Sequence, residues 1–177
     1  MSFDFSRQAL DTGAKLVVAI ELSPASVECL RRNLAPEIAA GRAIVYPKGV
    51  WDKDDVLAMQ IDPNNSAADS FLIHREGGIE VAQIPLTTID KLVDELKLAR
   101  VDFIKMDIEG AEQRALTGAR ATIAKYHPRM SLCAYHVPSD PEKIPELVRA
   151  AWSGYTMQCG PCAEANGHIR PDVLYFR

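Results

Sequence analysis

The sequence lacks a basic excess. Its 20 Lys and Arg face 24 Asp and Glu, a formal charge of -4, and the pI is near 5.6. Without a positive field to attract a phosphate backbone, nucleic acid is not expected as a partner. Long apolar runs are also missing: none approaches the roughly 18 residues that a membrane-spanning helix needs. The opening stretch MSFDFSRQAL has neither the basic start nor the apolar core of a signal peptide. No membrane partner is expected, and the location is read as cytoplasmic. Cysteine is scarce, four in 177 residues, too few for a disulfide scaffold. Internal repeats, low-complexity tracts and Pro/Gly/Ser linkers are absent, so residues 1–177 are read as one domain.

What is present is the balance of a folded globular chain, 47% hydrophobic and 25% charged. LVVAI (16–20) is short, apolar and rich in β-branched residues, the pattern of a strand covered on both faces. Ser23 and Pro24 then suit a helix start, and Val27, Leu30, Leu34 and Ile38 recur at helical spacing. AIVYP (43–47) supplies the next strand. VLAMQI, SFLIH and IEVAQIPL (56–61, 70–74, 79–86) read as short strands of a hairpin-like insertion. Thr87 and Asp90 have capping-box spacing ahead of the stripe Ile89, Leu92, Val93, Leu96.

VDFIKM (101–106) is a further strand, followed by helical sequence to about His127 with Gly118 as its weak point. RMSLCAYH (129–136) is another strand. Asp140 and Pro141 open a helix whose regular part Pro145 is expected to delay by a turn. GYTMQC and DVLYFR close the chain as two strands joined by a polar loop. Strands alternating with helices imply parallel pairing, and the last two, with no helix between them, imply an antiparallel hairpin. The fold class is α/β.

Ligands of open parallel sheets bind outside the carboxyl ends of the strands. Two acids stand there: Glu21 follows Ile20, and Asp107 follows Met106. A strand-end carboxylate can accept hydrogen bonds from ribose hydroxyls, the role assigned to Glu21; the alternative is an acid favoured by the dipole of the following helix. In DIEGAE (107–112), Asp107, Glu109 and Glu112 crowd three carboxylates together. Their repulsion calls for a cation, a hydrogen-bond donor or a shifted pKa, which marks a site more readily than simple helix-start chemistry.

VDFIKMDIEGAEQRALTGA (101–119) resembles the signature segment of the FkbM-type S-adenosylmethionine-dependent methyltransferases. VVAIELSPASVECLRRNL (17–34) resembles that family's second strand and helix, and KGVWD (48–52), SLCAYH (131–136), GYTM and DVLYFR are similar to its later segments. The resemblance implies a Rossmann-like methyltransferase sheet, mostly parallel with a C-terminal antiparallel hairpin. It implies S-adenosylmethionine as cofactor and methyl transfer to an oxygen of a small-molecule or sugar-like acceptor. Glu21 would hold the cofactor ribose, and the backbone of Gly49, Val50 and Trp51 would border the adenine. Asp107 would sit near the methyl donor or acceptor, Glu109 and Glu112 would shape the substrate pocket, and His136 is a candidate acid or base.

Family members open with a strand that ends in an acid and a glycine-rich turn. Ahead of Lys15 this sequence has only MSFDFSRQALDTGA, which fits the helix after that turn, with Gly13 at its far end. The sheet is therefore read as N-terminally shortened, its missing strand falling between those that end at Glu21 and Asp107. Direct pairing of those two strands, or a homodimer, is expected to protect the exposed edges. The competing function is a non-catalytic methyltransferase-like remnant that acts by association. CGPC (159–162) matches a thioredoxin-like redox motif, but no helical stripe follows it, so it is read as a hairpin loop. Cys159, Cys162 and His168 fall short of the usual four ligands of structural zinc, and no metal is assigned.

Overall fold

A computed structural model of the protein describes residues 2–61, 80–165 and 167–177. The chain divides into two compact units, Met1–Gly49 with Val56–Leu86 and Val50–Asp55 with Thr87–Arg177.

The first unit opens with helix α1 (Ser2–Asp11). Gly13, at φ 103, ends it: the Gly13 amide donates to the Leu10 carbonyl at 3.2 Å and the Ala14 amide to that of Ala9 at 2.9 Å. This is the Schellman pattern, which needs a left-handed residue. The expected helix is there, and Gly13 closes it. β1 (Val17–Ile20) pairs in parallel with β2 (Ala43–Tyr46) across α2 (Pro24–Asn33) and α3 (Ala35–Ala39). Leu10, Ala19, Leu30, Leu34 and Ala43 form the core between them.

The helical stripe predicted from Val27 to Ile38 is split, because Pro36 has no amide to donate to the Arg32 carbonyl and suits instead the first turn of a new helix. The break falls at Leu34 (φ -105), and Ile38 is left 37% exposed. Ser23 takes the N-cap position of α2 with Pro24 behind it, but its side chain makes no capping bond. Arg7 pairs with Glu37 and donates to the Asn33 carbonyl at 2.9 Å, fastening α1 to the end of α2 and to α3. β3 (Gly49–Val50), β4 (Asp55–Ile61) and β5 (Glu80–Thr87) form a sheet in the order β3-β5-β4. VLAMQI and IEVAQIPL are thus strands as expected, and SFLIH lies outside the described residues.

The second unit continues with α4 (Ile89–Glu95), β6 (Phe103–Met106), α5 (Glu112–Thr117), α6 (Arg120–Tyr126), β7 (Arg129–Cys133) and α7 (Asp140–Ala151). It ends with β8 (Met157–Cys159), β9 (Cys162–Ala165), β10 (His168–Pro171) and β11 (Val173–Phe176). The main sheet has the order β6-β7-β11-β8, with β6 and β7 parallel and β11 antiparallel to both its neighbours. Leu132, Leu174 and Phe176 of the sheet and Ile144 and Val148 of α7 are each at most 1% exposed. The terminal pairing of β8 with β11 is as expected. The polar loop between them is instead a second antiparallel pair, β9 with β10, with Gly167 at φ 76 ahead of β10.

Gly118 separates α5 from α6 as predicted, for two reasons. It interrupts the helix, and a Cβ there would stand 2.0 Å from the Trp51 carbonyl oxygen. The cap of α4 is one residue later than the sequence pattern suggests: Thr88, not Thr87, accepts the Lys91 amide at 3.0 Å. Thr87 donates to Asp54 at 2.9 Å, and Asp90 accepts the amides of Ala121 and Thr122 at 3.1 and 2.7 Å, capping α6 from a neighbouring element. α7 runs through Pro145 without the expected delay. Within the first unit β1 pairs with β2, and within the second β6 pairs with β7. Among the described residues, no helix is long and apolar enough to cross a membrane.

Candidate active site

β6 delivers Asp107 to the end of the second unit's sheet. Residues two apart on an extended chain face the same way, and Lys105 Nζ accordingly stands 3.5 Å from Asp107 Oδ2. The chain then reverses through two left-handed residues, Glu109 at φ 55 and Gly110 at φ 95. Glycine accepts that geometry freely, whereas a residue with a Cβ is strained there by about 1–2 kcal/mol.

Glu112 holds the turn in place. Its carboxylate reaches back from the start of α5 and accepts the Ile108 amide at 2.9 Å on Oε1 and the Gly110 amide at 3.0 Å on Oε2. The side chain is fully buried, and its third bond is to His136 Nδ1, 3.0 Å from Oε1. Because the carboxylate accepts on both sides, Nδ1 is the imidazole donor. The other ring nitrogen, Nε2, is buried without a hydrogen-bond partner. It faces Asp107 Oδ1 at 3.6 Å and Glu109 Oε2 at 3.9 Å.

The parallel register of β6 and β7 explains this gathering. Met106 lies opposite Leu132, so the segments leaving both strands run side by side and bring Asp107 toward Tyr135 and His136. Tyr135 donates to Asp107 Oδ1 at 3.1 Å, with its ring 4.2 Å from the imidazole.

Burial opposes the charged form of His136, but the bond to Glu112 and the charges of Glu112, Glu109 and Asp107 outweigh it and raise the pKa above the ordinary histidine value. Burial, then Asp107, pushes the Cys133 thiol up to about 12, so it is protonated and inert at neutral pH. The Tyr135 phenol is raised by the same two causes. Asp140, fully buried at the start of α7, is raised by burial against the opposing bonds from Gln113 and the Val137 amide.

The first unit carries Glu21 immediately beyond β1. Its Oε1 accepts the Leu22 amide at 2.8 Å and the Ser23 amide at 3.1 Å. The carboxylate, not the Ser23 hydroxyl, thus takes the amides leading into α2, which fixes its orientation at the strand end. Gly49 is buried in that unit, while Val50 and Trp51 are buried in the second. The Trp51 amide donates to the Thr87 carbonyl at 2.8 Å, and Arg114, bonded to Asp52 at 2.6 Å, lies over the Trp51 ring.

The sequence profile of the methyltransferase FkbM domain matches residues 2–160. The chain belongs to the FkbM methyltransferase family. No curated protein matches it. Among solved structures it is similar to the methyltransferase FkbM of Methylobacillus flagellatus KT, with a TM-score of 0.70 and 22% identity, across 99% of this chain and 41% of that one. The likeness is one of fold, the mixed α/β methyltransferase class, and the chain spans well under half the length of that protein.

This FkbM-family chain brings together Asp107, Glu109, Glu112 and His136, all in the second unit. Sequence reasoning missed Tyr135 and Lys105 at Asp107. Lys105 was within reach of the two-residue period of a strand, whereas Tyr135 carried no signal beyond its place beside His136. Cys159 and Cys162 are exposed thiols at the end of β8 and the start of β9, so CGPC opens no helix, but it links two strands and is not itself the hairpin loop expected. The side chain of His168 is outside those described.

Proposed function

We propose that this chain binds S-adenosylmethionine and transfers its methyl group to an oxygen of a small-molecule or sugar-like acceptor. The observation that carries the reading is the family match over residues 2–160, which includes both strand-end acids and the segment leading to His136. Bound S-adenosylmethionine supplies a methyl group activated by its sulfonium. Glu21, its carboxylate fixed by two amides, accepts the ribose hydroxyls. The backbone of Gly49, Val50 and Trp51 borders the adenine.

Asp107 and His136 act at the acceptor. As the acceptor oxygen forms its bond to the methyl carbon and the carbon–sulfur bond breaks, the hydroxyl proton passes to Asp107 or to His136 Nε2. Alignment of the two reactants supplies much of the rate. Glu109 borders the acceptor. Glu112 serves as a positioning residue, because its oxygens are taken up by Ile108, Gly110 and His136. The net charge of -4 disfavours a nucleic-acid acceptor.

The reading is tested by following S-adenosylhomocysteine formation across a panel of hydroxylated acceptors. A productive acceptor, with turnover lowered about 100-fold or more by Asp107→Asn, supports it; no product above background with any acceptor counts against it.

A further inference from the structure

We propose that Asp107, Glu109 and His136 form a binding site for one divalent first-row transition metal ion, of the manganese, cobalt or zinc type. One oxygen from each carboxylate and one imidazole nitrogen lie within 4.8 Å of one another. Crowded acids alone would not carry this. The decisive atom is His136 Nε2, on a side chain only 4% exposed, which is buried without a hydrogen bond and faces both carboxylates.

The rest of the ring is arranged as a metal ligand requires. Glu112 fixes Nδ1 as the donor at 3.0 Å, so in the neutral imidazole the lone pair of Nε2 points toward Asp107 and Glu109. A ligand histidine commonly donates its other nitrogen to a carboxylate, which sets the tautomer and raises its basicity. Here that carboxylate is itself immobilised by two backbone amides.

The distances fit an ion of this class. Bonds of about 2.1 Å at angles between 90° and 109° separate neighbouring ligand atoms by about 3.0–3.4 Å. The observed 3.6 and 3.9 Å exceed this by about half an ångström, a gap that small carboxylate rotations close. An imidazole with two carboxylates suits borderline cations, whereas Mg²⁺ and Ca²⁺ favour all-oxygen sites. The ion would also relieve the repulsion of Asp107 with Glu109. Use of the ion to draw an acceptor hydroxyl toward ionisation rests on the methyl-transfer reading; binding of the ion does not.

The test uses the whole chain, stripped with EDTA and titrated with Co²⁺ in the absence of any methyl donor. Visible absorption reports ligation, and Mn²⁺ uptake is followed in parallel by electron paramagnetic resonance. The expected result is one ion per chain, with affinity lowered at least tenfold by Glu109→Gln and by Asp107→Asn, each keeping the wild-type circular dichroism. Glu142→Gln, an exposed acid on α7, should leave affinity unchanged. No saturable uptake up to millimolar ion overturns the site, as does equal affinity in wild type and folded Glu109→Gln. Displacement of Co²⁺ by equimolar Mg²⁺ overturns the assigned metal class. Because no methyl donor is present, failure here leaves the methyl-transfer reading standing, and the reverse also holds.

Discussion

Replacing Glu112 by Gln probes the arrangement that holds the candidate site together. The wild-type carboxylate accepts three N–H groups, from Ile108 at 2.9 Å, Gly110 at 3.0 Å and His136 at 3.0 Å. Glutamine has one acceptor oxygen. With it in the Oε1 position, the bonds to Ile108 and His136 survive and the Gly110 amide faces an NH₂ group; the opposite flip loses two bonds instead of one. The smaller loss, one charge-assisted bond plus a buried unsatisfied donor, costs about 2–4 kcal/mol. Removing a negative charge beside Asp107 and Glu109 offsets about 1 kcal/mol at most, since both are partly exposed and share His136. A net loss of about 2–3 kcal/mol corresponds to a fall in melting temperature of roughly 4–12 °C in a chain of this size.

The same substitution changes the pH response. His136 titrates above its ordinary value in the fold, so its contribution to stability is complete below the unfolded pKa and lost as pH rises through the folded one. Glu112→Gln removes the strongest of the groups raising that pKa, so the variant should lose more stability at pH 6 than at pH 8. Melting curves in EDTA at both pH values, with the His136 titration followed by NMR, test this. A variant melting within 1 °C of wild type with an unmoved His136 titration would refute the assigned role of Glu112.

Gly118→Ala should destabilise by about 3 kcal/mol, because its Cβ would meet the Trp51 carbonyl oxygen at 2.0 Å; a denaturant midpoint equal to that of wild type would contradict the close approach. Asp140, surrounded by Gln113, the Val137 amide, Glu112 and His136, has a raised pKa whose first cause is burial. Its contribution is fully present below the ordinary carboxylate pKa and fades as pH rises through the folded value. The stability of Asp140→Asn relative to wild type should therefore improve from pH 4 to pH 7, and the opposite slope would count against this. Tyr155→Phe should cost about 1–3 kcal/mol by stranding the Pro128 carbonyl that the buried phenol now reaches at 2.8 Å; thermal melting reads the loss.

Much of the fold is legible because its strands are apolar and its helices carry stripes. LVVAI, AIVYP and VDFIKM became β1, β2 and β6 for that reason, and RMSLCAYH became β7, which stops at Cys133. What escaped depends on partners far away in sequence. The capping pattern favours Thr87, with Asp90 three residues on, but Asp54 takes the hydroxyl of Thr87 and Asp90 caps α6 instead. The β9–β10 pair is short, and no alternating apolar run marks its strands.

In the candidate site, the carboxylates of DIEGAE could be recognised as a crowd, but not sorted. Burial separates them: Glu112 is fully buried, Asp107 11% exposed and Glu109 25% exposed. A fully buried glutamate is foreign to composition-based reasoning, since acids are seldom buried unpaired. Its pairing with His136, 24 residues away, follows from the β6–β7 register and the turn at Glu109, neither of which is visible in a local window.

Calorimetric titration of the chain with S-adenosylmethionine and S-adenosylhomocysteine tests the central claim most directly. Saturable binding of both, weakened at least tenfold by Glu21→Ala without loss of fold, is the expected result. An absence of heat with either ligand at millimolar concentration, from protein with native circular dichroism, would contradict it.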